Sequence, residues 1–422
     1  MNLIEKYSNK EVPFRFNGVN LSFFLSQSLF SSYSIDNGTK LLLKTIAKEI
    51  NFSEISSVSD IGCGVGVIGL SLKKKYPALT VTLQDRDALA LSFSKENARQ
   101  NKIKDIIYNK NLALEDLEEN SQDLIISNLP AKAGETVLQD FVKNSLTYLS
   151  TGGLCLVVVV ATLKDTILNA IRKTDAEITY KEDTRDYSVF HFKKINNTNI
   201  QTKDNSKTDL NECYIRGIND FQLKKMHYSL KAVFNLPGFD TIPYHIDLTA
   251  HLLEKQAISG RTLFWNPGQG HLPLITHLTN KDKITETILA SRDILQLKIS
   301  KTNLLNTLGD DFKENLDLKH ICCLEELRTD AIHRVSHINN SAPTSNEKDI
   351  HYDSIIISLD EPDETILNSI MEITASKGIL IITGKSSYIA GAIKTSKGWI
   401  QITSRKYRGF RVVVFKRNSG NY

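Results

Sequence analysis

Residues 56–66 read SSVSDIGCGVG, and how this stretch folds decides the architecture of the chain. It reads as a strand that breaks into a glycine-rich turn and opens the helix VIGLSLKKKY, Val67–Tyr76. Gly62, Gly64 and Gly66 let the backbone turn sharply and let a ligand approach it closely. A tight structural turn would use the same glycines, so the turn alone names no ligand. The following strand, TVTLQD, ends on Asp85, where a carboxylate can take both hydroxyls of a ribose. Dinucleotide-binding folds present the same combination, and the choice of adenosine cofactor stays open at this point.

Working outward, strand-like apolar runs alternate with helical ones. TVTLQD is followed by ALALSFSKENARQN, DLIISNLP by VLQDFVKNSLTYL, and GGLCLVVVV by a helix around Leu163–Ile171. That alternation predicts an α/β fold, a mostly parallel sheet with helices on both faces, whose ligands sit at the carboxyl ends of the strands.

The layout occurs twice. Asp60-Ile61-Gly62-Cys63-Gly64 lines up with Asn266-Pro267-Gly268-Gln269-Gly270 at an offset of 206 (266 − 60). At that offset, without a gap, Arg86 and Asp87 meet Arg292 and Asp293, and Ser94, Lys95 and Asn97 meet Ser300, Lys301 and Asn303. RDYSVFHFKK from Arg185 resembles RGFRVVVFKR from Arg408, and FSSYSID from Phe30 resembles FNLPGFD from Phe234. Several matches in register point to a tandem duplication. The polar stretch Asn196–Glu212 reads as a linker, which gives domains over 1–195 and 213–422. A second polar stretch, His337–Asp349, reads as a loop inside the second half.

With 41% hydrophobic and 24% charged residues among 422, the composition is that of a globular protein. The longest apolar run, Gly153–Leu163, is too short to cross a bilayer, and the first residues lack the apolar core of a signal peptide. Cys63, Cys155, Cys213, Cys322 and Cys323 show no Cys-x-x-Cys spacing and no histidine partners, which argues against disulfides and zinc. These features predict a cytoplasmic protein with no membrane segment and no metal. A net charge of +4 permits nucleic-acid contact without arguing for it.

The end of the fourth strand separates the cofactors. Leu124–Ser127 reads as a buried strand that runs into Asn128-Leu129-Pro130. An Asn-x-Pro loop at this place belongs to methyltransferases that act on amino groups. Over roughly residues 30–194 the first half resembles the methyltransferase small domain, the catalytic domain of the ribosomal RNA guanine-N2 methyltransferases. The resemblance rests on FSSYSIDNGTKLLL, DIGCGVGVIGL, TLQD and DLIISNLP.

The resemblance implies two tandem Rossmann-like class I methyltransferase domains, each a mixed, mostly parallel seven-stranded sheet, with S-adenosyl-L-methionine as cofactor. It places Asp60 and the turn of Gly62, Gly64 and Gly66 against the amino-acid portion of that cofactor. Asp85 would hold the ribose and Ala113 would flank the adenine, with Asp36 and Gly38 in the entry segment beside the pocket. Asn128 would face both cofactor and acceptor. Asp36 also fits as the N-cap of the helix GTKLLLKTI, and both readings stand.

An exocyclic amine is a poor nucleophile because its lone pair is delocalised into the ring. Two acceptors that take both N–H bonds hold the nitrogen closer to tetrahedral. The Asn128 side-chain oxygen and the Leu129 carbonyl supply such a pair, and Pro130 stiffens the loop. The family has Asn-Pro-Pro and an aromatic here, whereas this chain has Leu129 and Ala131. Stacking a base on a ring contributes about 1–3 kcal/mol, so the grip on a base is weakened. Lys132 reads as a surface lysine or as a partner for a phosphate or carboxylate.

In the second half Asn266 stands for Asp60, Ser291 for Asp85 and Leu272 for Gly66, and YDSIIISLDEPDE has no Asn-x-Pro. A degenerate, non-catalytic copy is the expectation. In the family the amino-terminal copy is the worn one, so the order here is reversed. The terminal ribbon SRKYRGFRVVVFKR sets Arg405, Lys406, Arg408, Arg411, Lys416 and Arg417 near Tyr407 and Phe410, the chemistry that phosphates and unstacked bases prefer. A charged hairpin edge has the same composition. The leading expectation is an N-methyltransferase for a base amino group in structured RNA, with ribosomal RNA and guanine N2 first. The alternatives are a methyltransferase for a protein or small-molecule amine, and a non-catalytic RNA-binding or assembly protein that keeps a cofactor pocket.

Overall fold

The computed structural model describes residues 3–29, 33–195, 210–280, 282–328 and 351–418. Residues 30–32 of the entry segment, 196–209 of the polar stretch and the loop at 337–349 lie outside them. The chain divides into two units, Met1–Tyr214 and Ile215–Tyr422.

In the first unit a short α1 (Leu3–Tyr7) precedes an antiparallel hairpin of β1 (Ser8–Phe16) and β2 (Val19–Ser26). Asn17 and Gly18 form its turn with φ of 40° and 88°, the left-handed pair that Asn-Gly supplies at low cost. The main sheet holds β3 (Ser57–Ile61), β4 (Thr80–Gln84), β5 (Ile106–Asn109), β6 (Gln122–Asn128), β7 (Leu149–Val160), β8 (Ala176–Asp183) and β9 (Tyr187–Lys194). Their order is β5-β4-β3-β6-β7-β9-β8. β9 runs antiparallel to both its neighbours and the other pairs are parallel.

The helices are α2 (Asn37–Glu49), α3 (Val67–Lys75), α4 (Ala88–Gln100), α5 (Glu135–Tyr148) and α6 (Lys164–Arg172). Leu124, Ile125, Ile126 and Cys155–Val159 have no exposure at all, as unbroken apolar strands between two helical layers require. The chain builds outward from β3 to β5 and then returns to β6 on the other side. The carboxyl ends of β3 and β6 therefore face the crevice where such sheets take ligands. The unit closes on Leu210–Tyr214, where the Cys213 carbonyl accepts from Thr136 Oγ1 of α5 at 2.9 Å and Leu210 and Tyr214 are buried.

The second unit repeats this plan. A hairpin of β10 (Ile215–Leu223) and β11 (Met226–Val233) precedes α7 (Tyr244–Leu253), β12 (Gly260–Trp265), α8 (His271–Thr279), β13 (Ile284–Ser291), α9 (Ile294–Leu308) and β14 (Leu316–His320). β15 (Tyr352–Leu359), β16 (Thr374–Lys385), β17 (Trp399–Tyr407) and β18 (Phe410–Arg417) complete the sheet, ordered β14-β13-β12-β15-β16-β18-β17. Rank by rank this is the order of the first sheet. Among the described residues no helix is long and apolar enough to cross a membrane.

The strand registers correct the sequence alignment. Asp60 pairs with Leu83 and Ile126 in the first sheet, and Phe264 pairs with Leu289 and Ile356 in the second. Gly66 N-caps α3 with φ 86°, and Gly270 N-caps α8 with φ 95°. The glycine turns thus match at an offset of 204 (264 − 60), while the following strands match at 206 (289 − 83). The two extra residues open β13, which starts at Ile284 while the equivalent of Thr80 is Glu286, and the register shifts there between Gly260 and Arg261. Phe264, not Asn266, replaces Asp60; Asn266 replaces Gly62; and Gly270, not Leu272, replaces Gly66. The gap-free offset masked this because both turns carry glycine at every second position.

Candidate active site

The glycine turn is held from both sides. Gly62 N–H and Cys63 N–H donate to the Gln84 carbonyl at 2.8 and 3.1 Å. Ser94 Oγ donates to the Gly64 carbonyl at 2.8 Å, and Asn97 Nδ2 to the Val65 carbonyl at 3.0 Å. Asn97 also exchanges hydrogen bonds with the Phe24 backbone of β2, which locks the hairpin to the turn. Gly62 and Gly64 have φ of 69° and 56°, and a Cβ on either would meet nothing within 4 Å. Backbone conformation, not crowding, demands glycine at these two positions, and the turn faces open space.

Asp60 lies beneath the turn. It is 1% exposed, and its Oδ2 accepts from Gly69 N–H at 2.8 Å. Gly69 is the third residue of α3, so the carboxyl satisfies one of the helix's orphan donors. Burial pushes its pKa up to about 7, against the Gly69 bond, with the nearby Asp85 charge adding to the rise. In the second unit Phe264 stands in this place and Pro273, which has no N–H, is the third residue of α8. The donor and its acceptor have vanished together.

Asp85 follows β4 directly. Its Oδ2 accepts from Gly64 N–H and its Oδ1 from Asp87 N–H, both at 2.9 Å, so it stands at the rim of the glycine turn. The preceding residue, Gln84, is buried and reaches the other way. Its Nε2 donates to the carbonyls of Ala113 and, at 2.7 Å, Glu115. Ala113 is held with φ 34° in the loop after β5. The strand end thus sets both the carboxylate and the loop that carries Ala113.

Asn128 is the last residue of β6. Its Nδ2 donates to Asp36 Oδ2 at 2.9 Å and to Thr39 Oγ1 at 3.0 Å. Both amide protons are therefore spent, and Oδ1, which accepts from no described residue, points away from these partners. Asp36 caps α2 through Thr39 N–H at 3.1 Å and takes the Tyr187 hydroxyl on Oδ1 at 3.0 Å. Asp36 is thus the N-cap of α2, and the same carboxylate binds Asn128 and Tyr187. Gly38 makes room for this, since a Cβ there would lie 2.8 Å from Tyr187 Cε1 and 2.8 Å from Asp36 Oδ2. Leu129 is buried and donates its N–H to the Val158 carbonyl at 3.0 Å, while Pro130, Ala131 and Lys132 are exposed. Burial and the hydrogen bond to Asp36 raise the Tyr187 pKa, so this phenol stays a donor.

Sequence reasoning missed Thr39, Gln84 and Tyr187. Tyr187 arrives from the far end of the sheet, and nothing local marks it beyond its place in the repeated RDYSVFHFKK. The structure gathers Asp36, Gly38 and Asn128 in one cluster, and Gly62, Gly64 and Asp85 in another, with Gly66 closing the turn onto α3.

Residues 20–191 match the family described as methyltransferase small domain. The match lies within the first unit. Ribosomal RNA small subunit methyltransferase C of Haemophilus influenzae (strain PittGG) is 35% identical over 138 residues, 32% of this chain and 40% of its own. The namesake from Buchnera aphidicola subsp. Baizongia pistaciae is 36% identical over 129 residues, 30% of this chain and 38% of its own. The matches thus span about two fifths of the length of these relatives. The T. thermophilus 16S rRNA N2 G1207 methyltransferase RsmC, solved in complex with AdoMet and guanosine, aligns with 98% of this chain and 100% of its own at TM-score 0.64 and 13% identity. At that identity the likeness speaks for the fold.

The second unit has lost both clusters. Ser291 stands for Asp85, and Gln296 Oε1 takes the Gly268 N–H at 3.0 Å instead. Asn266 Nδ2 donates to Asp360 Oδ1 at 3.0 Å, and Arg292 pairs with Glu361 at 3.0 Å. Asn128 pairs with Val158 and Ser358 with Thr383, which puts Ser358 in the place of Asn128. α7 begins after Pro243, so Pro243 replaces Asp36, and Asp240 is not the cap that the repeat alignment implied.

Proposed function

We propose that the first unit, in the catalytic domain at 1–195, transfers a methyl group from S-adenosyl-L-methionine to an exocyclic amino group of a base in structured RNA. Ribosomal RNA and guanine N2 are the first choice, and the second unit, Ile215–Tyr422, is a non-catalytic partner. A ribosomal substrate would place the protein in the cytoplasm. The observation that carries the reading is the Asn128 amide. With both its protons bound by Asp36 and Thr39, it presents an oxygen to any incoming amine.

The cofactor fits the residues present. Gly62 and Gly64 expose backbone to open space and Asp85 sets a carboxylate beside them, as an amino-acid tail and a ribose require. Gly66 starts the helix, Asp60 braces the turn from below, and the loop at Ala113 lies where an adenine would follow. Bound there, the cofactor supplies an electrophilic methyl group on a sulfonium. Asn128 Oδ1 and the Leu129 carbonyl accept the two N–H bonds of the acceptor amine and turn its lone pair outward. Pro130 holds the Leu129 carbonyl in place. No strong base is needed, because the amine becomes acidic once methylated. The relatives named as ribosomal RNA methyltransferases support the choice of RNA, and Arg405, Lys406, Arg408 and Arg411 are the cations offered to it.

The exposed Ala131, where an aromatic would grip a base, favours a second reading in which the acceptor is a protein or small-molecule amine. Incubating the protein with labelled methyl donor and cell extract separates them. Label in RNA, lost on Asn128→Ala, supports the first reading; label confined to protein or small molecules overturns it. No label in any fraction leaves an RNA-binding or assembly protein.

A further inference from the structure

The corner of the second unit that matches the Asn128 cluster has been rebuilt from aromatic and cationic side chains. We propose that it holds unstacked nucleobases of single-stranded RNA, with Tyr244 and Tyr407, whose planes stand at 80° to each other, as separate stacking faces. The inference rests on the reading of an RNA substrate and names where that RNA is gripped.

The equivalences follow from the strands and caps. Tyr187 pairs with Val160, and Phe410 with Lys385, each two residues beyond the matched Val158 and Thr383. Phe410 therefore takes the place of Tyr187. From the caps, Tyr244, His245 and Ile246 take the places of Asn37, Gly38 and Thr39. Every group that orients the Asn128 amide has become apolar or aromatic. The room that Gly38 leaves for the Tyr187 ring is filled by His245, stacked on Phe410 with centroids 5.6 Å apart.

On this base stand two rings that water reaches, Tyr244 at 41% and Tyr407 at 47% exposure, with centroids 5.8 Å apart. The Arg408 guanidinium lies 5.0 Å from one and 5.3 Å from the other, and it donates to the Tyr244 hydroxyl. Arg408 holds φ 45° beside Gly409 at 83°, a left-handed position that Asn or Gly would occupy at lower cost. An arginine kept there against its backbone preference points to a use for its side chain.

The remaining cations sort by position. Arg411 donates its Nε–H to Ser404 Oγ at 2.9 Å and keeps its charge, and Arg417, at the far end of the ribbon, donates to the Thr374 carbonyl. Arg405 and Lys406 are exposed, and among the described residues neither has a carboxylate partner. An acidic protein would be met by cations alone. Two exposed rings bridged by a guanidinium, with further cations along the same strand, suit a base and its flanking phosphates. Such rings stack only on a base released from its helix.

The test uses the full chain and a fluorescein-labelled oligouridylate, followed by anisotropy at several salt concentrations. Tyr407→Ala and Tyr244→Ala are each expected to weaken binding about tenfold, while Tyr407→Phe stays within about twofold because the ring remains. Arg405→Ala and Lys406→Ala should each reduce the salt slope by about one. Unchanged affinity in both alanine variants, Tyr407→Phe as weak as Tyr407→Ala, no binding by the wild type at low salt, or equal competition by polyglutamate would each overturn the proposal. Calorimetry with S-adenosylmethionine on the same proteins keeps the two readings apart. Cofactor heat with ring-independent RNA binding sinks the corner alone. Absence of cofactor heat beside ring-dependent RNA binding sinks the methyltransferase and leaves the corner standing.

Discussion

The Asn128 amide nitrogen lies 2.9 Å from Asp36 Oδ2, across 92 residues of sequence. A helix-capping carboxylate thereby fixes which way a strand-end amide points. Were the amide reversed, its oxygen would face the Asp36 carboxylate, which can only accept. The Asn128 oxygen is thus aimed by residues that need not touch an acceptor amine themselves.

Asn128→Ala should lower kcat about 10²- to 10³-fold, the usual effect of removing one group aimed at a reacting centre. Asp36→Ala leaves the amide in place but unoriented and should lower kcat about ten- to a hundredfold, since small misplacements cost that much. Cofactor affinity, measured by calorimetry, should barely move in either. Tyr187→Phe removes one bond to Asp36, so about fivefold is expected. An unaltered kcat in Asp36→Ala would show that the amide holds its direction without the carboxylate.

Gly38→Ala tests the packing behind this cluster. The added Cβ would lie 2.8 Å from both Tyr187 Cε1 and Asp36 Oδ2, and overpacking of this kind costs about 1–3 kcal/mol. Thermal unfolding should show a lower Tm. Combining it with Tyr187→Ala should cost less than the two separate losses added together, because the clash disappears with the ring. Strict additivity would place the strain elsewhere.

Local signals carried much of the architecture. DIGCGVG and TLQD marked the crevice because glycine spacing and a strand-end acid are set by neighbours in sequence. The Asn17-Gly18 turn between alternating apolar residues was equally legible as a hairpin and went unread. Tyr187 and Gln84 could not be read, because their partners Asp36 and Ala113 meet them only through the sheet. The repeat was visible in Ser300 and Asn303, whose hydrogen bonds to the Gly268 and Gln269 carbonyls mirror those of Ser94 and Asn97. Its register was not, since two residues added at the start of β13 leave the alternation of the strand intact.

Asp60 predicts a pH dependence of stability. Its folded pKa of about 7 stands above the ordinary 3.8, so between these values the folded protein holds a proton that the unfolded chain has released. Stability must then fall as pH rises from about 4 to 7 and level off above. The contribution is on the order of 4 kcal/mol at most. Asp60→Asn cannot titrate, so the difference in unfolding free energy between wild type and variant should shift in favour of the variant across this window. Denaturant unfolding at pH 4.5 and 7.5 (both about a unit or less from the ends of the window) measures it. A difference that stays constant with pH would mean that Asp60 is ionised throughout.

The second unit should take no cofactor, and the reason lies in one backbone donor. In the first unit Gly64 N–H is bound by the Asp85 carboxylate; in the second the matching Gly268 N–H is bound by Gln296. Ser291, in the place of Asp85, donates to Asn266 Oδ1 at 3.2 Å, and Asn266 is itself tied to Asp360. The second unit thus puts no carboxylate in the place of Asp85, and a ribose loses its acceptor there. Calorimetry on the full chain should therefore give one S-adenosylmethionine per chain. Asp85→Ala should weaken that single site about ten- to a hundredfold, the loss of one or two charged hydrogen bonds. Ser291→Asp alone should not create a second site, because Gln296 still occupies the Gly268 N–H. Two equivalents in the wild type would show that the internal bonds of the second unit yield to the ligand.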